Sequence, residues 1–556
     1  MKMKRLTDTP WGYRGGVSST FRASAIVFAI LFPLLLADRA SCLSLGTGLC
    51  AVQWNVWASV TLVTLTLALL GLFPLWILGR YSWLIYAVFV PVEIVLVCIE
   101  WFVCTHFQMT LLGSWIGMFM VSSPEEIKWF LGKYLTVSSG LCIVLILAFA
   151  VLVERPLRCV RKAVVTRWAV LPILCVCLIA LAVNYRLGVT KIRLAHLLPA
   201  VNLAVDSVSC LHQQCSLVHM LKSPQFPEAI HATQNGESPT TGVFVLGESA
   251  TRNHWSLYGY GRKTTPCLDS VREELTVFSD LVTMAGFTSE AMRGIFSTYT
   301  LENKHDLRYS MSQALAKCGF DVSLYSNHQR WDQWYSDESF SFASCEPFVC
   351  MADQGETNAY DNVLLKYLNN ETLSTSGNRV VFLHLMGSHF EWQDRYPPSD
   401  ALFGTQSFID HYDNSIWFTD KILGEVVRRL KATRRPAWMI YISDHGETPS
   451  SRGWRMATDN DCWEVPFVVW TSPEFDAAYP ERVAALRRAK DKPLQSDQLL
   501  YGLLRFMGVE GLGNAPEEDF LSDAFKPRTP RLILSGAAVY DPNAPRRDSD
   551  LCEPRE

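Results

Sequence analysis

The sequence has no surplus of positive charge. Fifty Lys and Arg stand against 54 Asp and Glu, a formal net charge of −4 over 556 residues. That argues against a nucleic-acid binder, which needs a basic footprint. Acidic residues are few between residues 24 and 190, where five apolar runs occur instead, roughly at 24–43, 54–79, 82–104, 134–153 and 168–186. Each approaches the ~20 residues that cross a hydrocarbon core. No clear small-x-small cleavage site separates the first run from a soluble segment, and four further runs follow it. A removed signal peptide is therefore not the expectation. The cysteine pairs Cys210/Cys215 and Cys345/Cys350 lack the two-residue spacing of a zinc knuckle. They are left as short-loop disulfide candidates in an oxidising compartment.

What is present sets an orientation. Lys2, Lys4, Arg5, Arg14 and Arg22 precede the first run, and Arg155, Arg158, Arg161, Lys162 and Arg167 lie between the fourth and fifth. Five spans put both clusters on the cytoplasmic side. The loop 105–133 and everything after about residue 190 then fall on the far side. The organisation expected is a five-span bundle over 1–189, a connector over 190–239, a globular domain over 240–530 and a tail over 531–556. In the connector, "KIRLAHLLPAVNLAVDSV" reads either as an interfacial amphipathic helix or as a helix packed on the domain. The Pro- and charge-rich stretch from about 527 reads as poorly ordered.

The globular part alternates short apolar runs with helical stretches. The runs at 243–249, 322–327, 379–389, 437–447 and 465–470 are β-branched or aromatic and do not alternate with polar residues. Such strands belong in a mostly parallel sheet covered on both faces, an α/β fold. Ligands bind beyond the carboxyl ends of such strands. There lie Glu248, His384 and His389, and the neighbouring Asp444 and His445 of "YISDHGET". One acid or histidine after a strand is usually a turn or a cap. Several on one edge make a ligand set suited to zinc. Thr288 and Ser289 sit where a loop enters a helical stretch, and either hydroxyl there is a candidate nucleophile or an ordinary cap.

With those residues in view, "GESATRNHWSLYGY", "HLMGSH" and "SDHGE" resemble segments of the membrane phosphoethanolamine transferases. These belong to the alkaline phosphatase/sulfatase superfamily and modify lipopolysaccharide. The resemblance implies one tightly bound Zn2+, with a second possible, on Glu248, Thr288, Asp444 and His445. Thr288 is also the implied nucleophile, holding phosphoethanolamine from phosphatidylethanolamine before an acceptor takes it. His384 and His389 fall on the substrate-side histidines. Asn327, Ser122, Glu126 and Glu464 fall on substrate-side positions, with Glu464 also a candidate for a second metal. The implied setting is a monomer, multi-pass in a bacterial inner membrane among membrane lipids, with its catalytic domain in the periplasm. The acceptor is lipopolysaccharide (core sugar or lipid A) or another periplasmic glycan. Phosphoglycerol transfer of the lipoteichoic acid synthase type is the alternative. "MAGFTSE" lacks the Cys that lipid A-modifying members carry before the nucleophile, which suits a core-sugar or other glycan acceptor at least as well.

Overall fold

A computed structural model describes residues 11–43, 61, 64–107, 160–161, 165, 170–172, 174–175, 223–233, 239–304, 306–328, 340–351, 354, 359–374, 376–450, 453–455, 460–536 and 538–544. The chain divides into two compact units, Met1–Leu211 and His212–Glu556.

In the first unit, α1 spans Trp11–Leu43 and α2 spans Trp83–Phe107. Thr64–Leu96 is the one stretch of 18 or more residues, among the described residues, that is long and apolar enough to cross a membrane. Tyr86, Val90 and Ile94 recur at a four-residue spacing and pack with Val27 and Leu31. The opposite side of α2 leaves Leu84, Ile85, Val88 and Val92 exposed. A helix apolar all round needs an apolar medium or an apolar partner on its open face. The apolar run 134–153, the loop with Ser122 and Glu126, the connector helix and the Cys210/Cys215 pair lie outside the described residues, as does most of the run 168–186.

The second unit is built on a seven-stranded sheet. Its strands are β1 (Thr241–Gly247), β2 (Leu275–Phe278), β3 (Asp321–Ser326), β4 (Phe348–Cys350), β5 (Arg379–His384), β6 (Ala437–Ser443) and β7 (Phe467–Thr471), in the spatial order β2-β7-β6-β1-β5-β3-β4. Every residue of β1 and β6 is buried. The pleat explains this: Val243 and Val245 point into one core, Phe244 and Leu246 into the other. Both faces are dry, so the sequence shows an unbroken apolar run rather than alternation. Helix α3 (Thr288–Phe296) follows β2, and the long α5 (Phe408–Thr433), after the short α4 (Met311–Lys317), packs along β6. A capping box fixes the start of α5: Ser407 and Asp410 each bond the other's backbone N–H.

The sheet is mostly parallel, as expected, but β7 runs antiparallel to both β6 and β2; a strand buried on both faces carries no mark of direction. Three other expectations change. Cys345 and Cys350 are two buried thiols and form no disulfide. The strand Phe348–Cys350, paired with β3, extends the chain at about 3.3 Å per residue and carries Cys350 off. The Pro-rich tail packs on the domain as far as residue 544. Arg528 pairs with buried Asp497 at 2.6 Å, and Tyr540 donates to Glu464 at 2.6 Å. The domain also reaches upstream of residue 240, where His231–Ala232 pairs with Val509–Glu510 and Thr233 N donates to the Gly508 carbonyl at 2.7 Å.

Candidate active site

Register brings the site together. In the parallel pairs, Gly247 lies opposite Ser443, Leu246 opposite His384, and Ser326 opposite His384. The next residues of β1, β6 and β3 leave the sheet at one edge, beside the topological switch around β1. Glu248 and Asp444 are fully buried there. Gly387, between the two histidines of "HLMGSH", has φ +51°, and an added Cβ would lie 2.8 Å from the Glu248 carbonyl oxygen. Only glycine lets that loop press on Glu248.

Glu248 is the hub. Its Oε2 accepts from Thr288 Oγ1 at 3.0 Å. Its Oε1 accepts from Ser249 Oγ at 2.7 Å and lies 3.3 Å from His445 Nε2. Ser249 has φ 58°, rare for a residue with a side chain. That turn aims both its groups into the site, since its N–H donates to Asp444 Oδ1 at 3.0 Å. Thr288 opens α3 as its first residue, and Phe287 occupies the cap position without a side-chain bond. The Thr288 hydroxyl is therefore not a cap. It faces Glu248 beside the first backbone N–H groups of α3, which have no carbonyl partner within the helix and suit an anion. Ser289 is exposed.

Asp444 Oδ1 also accepts from the His445 N–H at 2.6 Å, while Oδ2 is buried without a hydrogen-bond donor. His445 Nδ1 lies 3.0 Å from the Gly446 carbonyl, so Nδ1 carries a proton and Nε2 faces Asp444 and Glu248. Burial and the neighbouring charge of Glu248 push the Asp444 carboxyl up to about 7. Burial alone would lower His445, but Asp444 and Glu248 raise it to about 10. Burial would likewise raise Glu248, yet the bond and charge of His445, with His389 and His328 adding, hold it well below the carboxylate range. Two carboxylates and an imidazole offer donor atoms within 4.8 Å of one another. With the orphaned Asp444 oxygen, this O and N set fits zinc.

His384 is buried on the other side of Glu248, its Nδ1 3.2 Å from Ser326 Oγ. His389 is exposed at the mouth, near enough for its charge to act on Glu248. Asn327 turns away: its amide donates to the Ala359 carbonyl at 2.7 Å and to Asp361 Oδ1 at 2.8 Å. Glu464 is also engaged elsewhere, accepting from Asn253 at 2.8 Å as well as from Tyr540. Two residues of the site carried no motif. Asp361 is buried and takes the backbone N–H groups of Met386 and Gly387, each at 2.8 Å, so it clamps the histidine loop to Asn327. His328, the neighbour of Asn327, stacks on His384. Adjacency to a strand end was the one available signal for it.

Residues 240–509 match the sulfatase family. "Phosphoethanolamine transferase EptC" of Escherichia coli K12 is 26% identical over 332 residues, 54% of this chain and 57% of that protein. "Phosphoethanolamine transferase EptA" of Helicobacter pylori is 27% identical over 259 residues, 42% of this chain and 48% of that protein. The chain thus spans about half the length of the curated relatives it matches. Among solved structures, the integral membrane lipooligosaccharide phosphoethanolamine transferase A of Neisseria meningitidis matches in fold with a TM-score of 0.65. That match is 17% identical and covers 90% of this chain and 98% of the other. The periplasmic domain of E. coli EptC, solved in complex with Zn, gives a TM-score of 0.51 at 23% identity, covering 59% of this chain and 97% of that one.

Proposed function

We propose that this chain, a relative of the membrane phosphoethanolamine transferases whose residues 240–509 form a sulfatase-family domain, moves phosphoethanolamine from phosphatidylethanolamine to lipopolysaccharide. The observation that carries the reading is the Thr288 hydroxyl, held 3.0 Å from Glu248 at the start of α3 beside Asp444 and His445. Thr288 Oγ attacks the phosphorus. A bond from Oγ to phosphorus forms, the bond to the diacylglycerol oxygen breaks, and the Thr288 proton leaves along its hydrogen bond to Glu248. The N–H groups at the start of α3 receive the phosphoryl oxygens. An acceptor oxygen then attacks the phosphothreonine and frees Thr288, a two-step, ping-pong course. A zinc ion on Glu248, Thr288, Asp444 and His445, when bound, neutralises phosphoryl charge and lowers the pKa of the hydroxyl.

His389 at the open mouth is placed to exchange a proton with the leaving or entering oxygen. His384 backs Glu248 from the buried side. Asn327, Ser122, Glu126 and Glu464 are assigned to the substrate path by resemblance alone. The chain is read as multi-pass in the inner membrane, which suits a lipid donor, with the domain in the periplasm. The test incubates the full chain in detergent micelles with phosphatidylethanolamine and maps adducts by mass spectrometry. Phosphoethanolamine on Thr288, then on core oligosaccharide or lipid A when lipopolysaccharide is added, is the expected result. A phosphoglycerol adduct formed from phosphatidylglycerol in its place would overturn the donor. Free phosphoethanolamine with no adduct and no acceptor product would make the protein a hydrolase.

A further inference from the structure

The mechanism above leaves His328 without a task. It is buried just past the end of β3, and its ring lies flat on His384 with centroids 3.9 Å apart and planes 9° from parallel. Its Nε2 lies 2.8 Å from the Leu385 carbonyl. A carbonyl only accepts, so the proton sits on Nε2 and the Nδ1 lone pair stays open. On His384 the contact with Ser326 Oγ uses Nδ1. Glu248, His328 and His384 each offer one donor atom, all three residues are buried, and the three atoms lie within 4.8 Å of one another.

We propose that Glu248, His328 and His384 form a second divalent transition-metal site, distinct from the Asp444–His445 side and joined to it through the Glu248 carboxylate. One carboxylate and two imidazoles are a borderline N2O set, suited to zinc and unsuited to magnesium or calcium, which prefer oxygen. Donors around one zinc at bonds of about 2.0–2.1 Å end ~3.4 Å apart, so the trio would close on loading. Ser326 and the Leu385 carbonyl hold the outer ring nitrogens, as the outer partners of metal-binding histidines do. Two cations bridged by Glu248 would present neighbouring positions to the oxygens of a transferring phosphoryl group. The site uses neither Glu464 nor His389, and it does not depend on which headgroup is transferred.

The test counts metal on the full chain in detergent, stripped with a chelator and dialysed against Zn2+. Two equivalents are expected in the wild type and one in His328→Gln. Glutamine keeps an N–H for the Leu385 carbonyl and removes the imidazole donor, so a bracing role alone would leave the count unchanged. His384→Gln should lose the same equivalent, and Co2+ loading should show one set of d–d bands disappearing in each variant. Thermal melts confirm that the variants fold; if one does not, the other and the wild-type count still decide. One equivalent or fewer in the wild type, or two retained in either folded variant, overturns the site. Headgroup transfer is measured on the same samples. Its absence in the wild type would overturn the proposed function and leave the metal count standing.

Discussion

The ends of β6 and β3 flank Glu248 on opposite sides, yet they deliver their side chains differently. After β6, two consecutive residues face the cluster: Asp444 brings Oδ2 and His445 brings Nε2. After β3, consecutive residues diverge, with Asn327 turned out to Asp361 and His328 turned in to His384. On the β6 side Asp444 is crowded against Glu248, and its carboxyl is held up near 7. On the β3 side the histidines are neighbours of one another, and burial with the charge of His384 pushes His328 well below its ordinary value. One carboxylate thus faces an anion-rich flank and an imidazole-rich flank. The difference teaches that two residues next to each other in sequence need not share a site, even at the same sheet edge.

The most severe way to break the comparison is to remove what both flanks serve. Thr288→Ala should cost ~10⁴–10⁶-fold in transfer rate, the scale of losing a catalytic nucleophile, and abolish the adduct while leaving the melting temperature within a few degrees. Full activity in that variant would sink the nucleophile. Removing one flank comes next. Asp444→Asn should weaken zinc binding by more than the ~10–100-fold typical of an outer partner, read by competition with a chelating dye.

Protons sharpen the contrast without a mutation. In the chelator-treated protein, Asp444 near 7 and His445 near 10 bind protons that the unfolded chain would release around 3.8 and 6.5. The folded state then holds more protons, so stability falls as pH rises, through about 7 for Asp444 and about 10 for His445. Glu248, held low, acts oppositely, and its contribution is lost in acid below the usual carboxylate range. The melting temperature of the metal-free protein should therefore drop between pH 6 and 10, and zinc should flatten the drop. A melting temperature that rises across that window would refute the assignment.

Smaller effects come from the residues that hold the β3 flank and from the engaged Glu464. Asp361→Asn keeps the shape but leaves one carbonyl oxygen for three donors. Stability should fall by about 1–3 kcal/mol for the buried bonds lost, and transfer should fall with it because the "HLMGSH" loop loosens. An unchanged melting curve would show the clamp to be idle. Glu464→Gln should cost only about 1 kcal/mol and leave the metal count intact. A lost metal equivalent there would instead place Glu464 in the site.

Much of the candidate site was legible because it is local. Glu248, Asp444 and His445 each follow an apolar run within a residue or two, and the carboxyl-edge rule gathers them. His328 and Asp361 were not legible. His328 is marked only by following a strand by two residues, and Asp361 lies in a helical turn between strands. Nothing local says that Asp361 meets the Met386 and Gly387 amides. The short strands β2 and β4 also passed unseen, having three or four residues each and partial burial.

By itself the sequence determined which segments are apolar, which of the longer runs become strands, and which reactive groups end them, since these follow from composition and periodicity over a few residues. Tertiary structure alone decided that β7 runs antiparallel, that Cys345 and Cys350 stay apart, that the tail docks through Arg528, and that His328 rather than Asn327 faces Glu248. Each of these depends on contacts between residues far apart in the chain. Burial makes such contacts favourable, and no local pattern encodes the direction from which a partner arrives.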